Sequence, residues 1–76
     1  EARETLAWLE AELHDLPPQQ REVIMLVCIE QMEQQDAAKL LGIPLNTVKT
    51  HLRRARMRLA KALARRNATL RRESSR

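Results

Sequence analysis

The run Leu41-Gly42-Ile43-Pro44-Leu45-Asn46-Thr47-Val48-Lys49-Thr50-His51-Leu52-Arg53-Arg54-Ala55-Arg56 constrains this chain more than any other stretch. A helical pattern stops at Gly42, the only glycine in the sequence. Glycine takes the left-handed conformation that closes a helix at little steric cost. Pro44 marks the turn, and a second helical pattern begins with a cationic, hydrogen-bonding outer side. Two helices joined by a tight turn, with such a face on the second, form a helix-turn-helix whose second helix suits the DNA major groove.

The rest of the composition fits this reading. Ala, Leu, Gln, Glu, Arg and Lys dominate, which favours an all-α fold. With 76 residues, one Trp and no Phe or Tyr, the chain can bury one thin aliphatic core. The net charge is +4, and it is polarised. Residues 1–36 hold nine of the ten acids, whereas residues 37–76 hold twelve of the fourteen bases. A basic half following a helix-turn-helix pattern points to nucleic acid, and the acidic, apolar half to protein partners. Surface aromatics for stacking single strands are missing, so duplex DNA is the better partner.

Four helices are predicted. Leu6, Leu9, Leu13 and Leu16 recur at spacings of three and four and give an amphipathic helix over residues 2–15, with Trp8 beside the stripe either packing against a neighbouring helix or forming a docking surface for another domain. Leu16-Pro17-Pro18 ends it and starts a second helix over 18–30. The nearly continuous apolar run from Val23 to Ile29 suggests a central helix touched on two sides, with Cys28 as a small buried residue. After a polar turn at 30–33, a short third helix covers 34–41 and faces inward through Ala37, Ala38, Leu40 and Leu41. Ile43 plugs the core from the turn. The fourth helix spans 45–65, with Val48, Leu52, Ala55, Leu59 and Leu63 as its core stripe. Residues 1–65 therefore form the domain, and the basic segment 66–76 is expected to fray or be disordered.

The outer face of the fourth helix carries the chemistry. Arg bonds bidentately to guanine, Lys reaches a base edge or a phosphate, and Thr reaches either. Asn46, Lys49, Thr50, Arg53 and Arg54 occupy the exposed side of its first turns. Asn46 and Thr47 stand where a helix N-terminus can hold a phosphate, or where either can cap the helix instead. Other chemistries are not supported. His14, Cys28 and His51 lack metal-ligand spacing, and neither a nucleophile–His–acid set nor a glycine-rich phosphate loop is present. The expectation is a binding protein without catalytic residues, cofactor, metal or small-molecule substrate. One cysteine excludes an internal disulfide and fits a reducing cytoplasm. No apolar run is long enough to span a membrane. The first residue is Glu1 rather than Met, which fits a piece of a longer protein.

The segments Leu16-Pro17-Pro18-Gln19-Gln20-Arg21-Glu22-Val23, Ala38-Lys39-Leu40-Leu41-Gly42-Ile43-Pro44 and Thr47-Val48-Lys49-Thr50-His51-Leu52-Arg53-Arg54-Ala55-Arg56, in this order and spacing, resemble region 4 of bacterial sigma-70 family factors. The extracytoplasmic-function (ECF) group is the most similar. The resemblance covers about residues 14–63. It implies a four-helix domain that binds the −35 promoter element and docks on the β flap of RNA polymerase. Anti-sigma regulators commonly cover these surfaces in such factors. By position, the resemblance carries DNA contact onto Lys49, Thr50, His51, Arg53, Arg54 and Arg56. The chain departs from the pattern at Glu33-Gln34, where Ser-Tyr is usual, at Ala37 for a larger Ile, at His51 for Arg and at Asn46 for Gly. Region 2, which melts the −10 element, is absent, so this chain alone is not expected to initiate transcription. Two other readings fit parts of the pattern. One is the helix-turn-helix of a response-regulator-type activator, and the other is a helical bundle that binds an anti-sigma-like regulator and rarely meets DNA.

Overall fold

The computed structural model describes residues 2–74 and is all-α. Helix α1 (Ala2–Asp15) leads through Leu16 and Pro17 into α2 (Pro18–Ile24), which continues as a π-helical turn (Met25–Ile29). Helices α3 (Gln34–Leu41) and α4 (Leu45–Ser74) follow. The proline at the start of α2 is favoured there, because its missing N–H would have no helical partner. Glu33 precedes α3 without a side-chain cap, as the loss of Ser at that point predicts.

The core is small and aliphatic. Leu16, Val23, Ile24, Ala38, Val48, Leu52 and Ala55 form one buried cluster, with Leu13, Val27, Leu41, Ile43 and Leu59 packed around it. Ala37 is also fully covered. The buried alanines Ala37 and Ala38 of α3 allow it a close approach to its neighbours. Gly42 ends α3 at φ +66°, and its N–H bonds to the Lys39 carbonyl while the Ile43 N–H reaches Ala38. This is the left-handed stop expected from the sequence, and it aims Ile43 back at the core.

Five expectations are corrected. Leu63 is 47% exposed, and Ala62 is buried in its place. At about 100° per residue, Ala62 lies about 40° from Val48, on the core side, whereas Leu63 is rotated about 60° the other way. Leu40 is 63% exposed, because α3 rests on α4 through its alanines and Leu40 projects past the contact.

Cys28 is exposed rather than buried. Helix α2 has passed the edge of its cover by that point, and Ile29 is exposed too. The helix also does not run as a regular α-helix to residue 30. The Glu30 N–H bonds to the Met25 carbonyl at 3.0 Å, a five-residue span, and Gln31 closes the turn at φ +58°.

The fifth correction concerns the end of the chain. Helix α4 continues to Ser74 instead of fraying after residue 65. Residues 45–74 contain neither Gly nor Pro, and Ala, Leu and Arg are strong helix formers. Tertiary contact adds to propensity: Ala62 is buried, and the Arg66 guanidinium stacks 5.1 Å from the Trp8 ring centroid. Trp8 thus packs against a neighbouring helix. The last two residues of the expected tail lie outside the described residues.

Candidate nucleic-acid interface

Pro44 supplies the first carbonyl of α4, accepting from the N–H groups of Thr47 and Val48 at 3.0 and 3.1 Å. Asn46 and Thr47 therefore lie inside the first turn rather than at the cap. Val48, Leu52 and Ala55 lock the inner face of α4 into the core, which fixes the rotation of its outer face.

Asn46, Lys49, Thr50 and Arg53 line one shallow depression on that outer face. The Thr50 hydroxyl donates to the Asn46 carbonyl at 3.0 Å. This bond pins the side chain while leaving the oxygen lone pairs free to accept. Asn46 offers both donor and acceptor, whereas Lys49 and Arg53 offer donors only. The depression therefore presents cationic donors flanked by adaptable polar groups, which matches the acceptor-rich edge of guanine and the phosphate line.

The other four predicted contacts sit elsewhere. Arg54 is exposed on one flank of α4. Arg56 lies about 160° around the helix from it, and its Nη2 donates to the Cys28 Sγ at 3.7 Å. Thr47 and His51 are half-buried. The Nδ1 of His51 is buried without a protein partner among the described residues, and the Oε1 of Gln20 on α2 shares that state.

Sequence reasoning missed a second feature. The apolar run of α2 and its π-helical turn shows one side to α4 and the other to an open groove. Leu13, Met25, Leu26, Leu40 and Leu41 line this groove, with Glu10, His14, Arg21 and Glu22 also contributing to it. Arg21 ties α2 to the end of α1 by donating to the His14 carbonyl at 3.2 Å. The exposed Leu40 explains the groove. One leucine fewer in the core leaves one more on an apolar surface, a signal that helical periodicity alone reads as burial.

Among the described residues, no cluster of three or more His, Cys, Asp or Glu side chains could hold a metal, and no helix is long and apolar enough to cross a membrane.

A short helix, a left-handed glycine, a proline turn and a second helix with a cationic outer face define a DNA-binding helix-turn-helix domain. Residues 6–59 match the family described as Sigma-70, region 4. The chain belongs to that family, which binds DNA rather than catalysing a reaction. No curated protein and no solved structure matches it.

Proposed function

We propose that this chain is the promoter-reading region 4 of an ECF-group sigma factor, working in the cytoplasm. In this reading α4 enters the major groove of the −35 element. Asn46, Lys49, Thr50 and Arg53 face the base edges, and Arg54 and Thr47 meet phosphate. The gathering of Asn46, Lys49, Thr50 and Arg53 in one depression on the outer face of α4 carries the proposal. His51 and Arg56, which resemblance also nominates, serve at the margins. His51 is half-buried, and Arg56 is held toward Cys28.

The apolar groove of Leu13, Met25, Leu26, Leu40 and Leu41 offers a docking place for the second partner, the flap of the RNA polymerase β subunit. An anti-sigma regulator would compete for the same groove or for the α4 face. Family membership favours this assignment over the response-regulator reading, and the groove gives the protein-interaction reading a place beside DNA binding rather than instead of it.

Selection of preferred duplexes from a random pool tests the DNA half. One sequence class should emerge, and Arg53→Ala should weaken it by about 1–3 kcal/mol while relaxing one position. Equal weakening on every duplex would demote Arg53 to a phosphate contact. For the polymerase half, Leu40→Asp should abolish flap binding and leave duplex binding intact.

A further inference from the structure

The ten cations of α4, Lys49, Arg53, Arg54, Arg56, Arg58, Lys61, Arg65, Arg66, Arg71 and Arg72, precede its single acid, Glu73. The structure sorts several of them. Lys49 and Arg53 line the outer depression. Arg56 is turned to Cys28, and Arg66 is stacked on Trp8. A third group falls on one flank. Arg54, Arg58, Lys61 and Arg65 follow one another at spacings of four, three and four, which keeps them within an arc of about 60°. All four are exposed. Lys61 and Arg65 lie beyond residue 59, where the family match stops.

We infer that Arg58, Lys61 and Arg65 form a phosphate rail, extending the DNA contact of α4 past the helix-turn-helix onto the duplex backbone beside the recognised bases. This inference rests on the major-groove docking of α4 proposed above. The line starts at Arg54, next to the reading face, and reaches Arg65 about 17 Å further along the axis at 1.5 Å per residue. The major groove is about 12 Å wide, so a helix leaving it meets a phosphate ridge within that distance. Cationic side chains one helical turn apart present a repeating set of donors to a repeating line of anions.

The competing role for these cations is internal. Glu12 and Asp15 of α1 line a cleft with Arg58, Lys61 and Arg65. No ion pair or hydrogen bond to a described residue engages these three side chains. Three cations share the cleft with two carboxylates and Arg54 adds a fourth on the same flank outside it, so the flank stays positive and its donors stay available.

The test is a triple variant, Arg58→Ala with Lys61→Ala and Arg65→Ala, which keeps strong helix formers at each position. Its affinity for a duplex of random sequence is measured between 50 and 200 mM salt, beside the parent chain. Each lost phosphate contact lowers the log–log salt slope by about 0.9. Three lost contacts reduce it by about 2.7, so the parent should lose about 40-fold more affinity than the variant over that range. The preference for the selected duplex over the random one should persist.

An unchanged slope overturns the rail and assigns these cations to the α1 carboxylates. A parent chain that binds random duplex with the expected slope but prefers no sequence overturns the promoter reading and leaves the rail standing. No salt-dependent binding by the parent overturns both. If the alanine variant loses helical circular dichroism, the same three positions changed to Gln give the same readout.

Discussion

Leu52 and Leu63 are the same residue type on the same face of α4 by sequence, yet the fold treats them differently. Leu52 is 2% exposed among Leu16, Val23, Ile24, Val48 and Ala55. Truncation to Ala removes three carbons, which costs about 2.4 kcal/mol in transfer at ~0.8 kcal/mol per carbon. The cavity term adds to that and brings Leu52→Ala to about 3–4 kcal/mol, inside the range known for buried leucines. A chain of this length is stable by about 4–11 kcal/mol in total. The variant should therefore lose about a quarter or more of its stability, and its thermal midpoint should fall by about 12–32 °C. At Leu63 half the side chain is already in water and no enclosed cavity forms. Leu63→Ala should thus cost about 1 kcal/mol or less, since Leu and Ala are both good helix formers. Urea denaturation followed by helical circular dichroism, with the slopes compared to check that both variants unfold the same surface, measures the two losses. If Leu63→Ala costs as much as Leu52→Ala, the rotation of α4 described above is wrong, and with it the composition of the outer face.

Three further outcomes follow from the backbone and from the α1–α4 contact. Gly42→Ala should cost about 1–2 kcal/mol in thermal denaturation purely from the left-handed backbone, because nothing lies within 4 Å of the added carbon; Gly42→Asn should recover part of that loss. Gln31→Gly should stabilise the chain by up to about 1 kcal/mol, since a side chain at φ +58° is strained and a glycine there is not. Arg66→Ala should shift the fluorescence of the only tryptophan and cost about 0.5–1 kcal/mol. Unchanged emission would separate Trp8 from α4.

Much of this was legible because single residues dictate it. Pro17 and Pro18 divide α1 from α2, and Gly42 with Pro44 divides α3 from α4, so the helix order and the turn could be read directly. The π-helical turn at Met25–Ile29 was not legible. No glycine or proline marks it, and an apolar run does not reveal how many residues close each turn. Leu40 and Leu63 were misplaced for a related reason: periodicity identifies an apolar stripe but not how far the neighbouring helix extends to cover it. The continuation of α4 to Ser74 had a visible signal in its unbroken helix-forming composition, yet a segment poor in core residues reads as frayed when its contact is a cation over Trp8. Within the outer face, phase against Val48 and Leu52 selects Asn46, Lys49, Thr50, Arg53 and Arg54, and the depression gathers all of these except Arg54. The half-burial of His51 and the attachment of Arg56 to Cys28 depend on neighbours that are distant in sequence.

Four of the nine buried apolar residues, Ala37, Ala38, Ala55 and Ala62, are alanines. Such positions have no methylene groups to lose, so their vulnerability runs toward added volume. A single extra branch in α3, as in Ala37→Val, pushes α3 away from its neighbours, and overpacking of this kind typically costs about 1–3 kcal/mol. Because α3 and α4 are the two helices of the helix-turn-helix, that separation changes the angle at which the second helix is presented to a duplex. Growth of a buried methyl group is thus a route by which drift changes duplex binding without touching the outer face of α4.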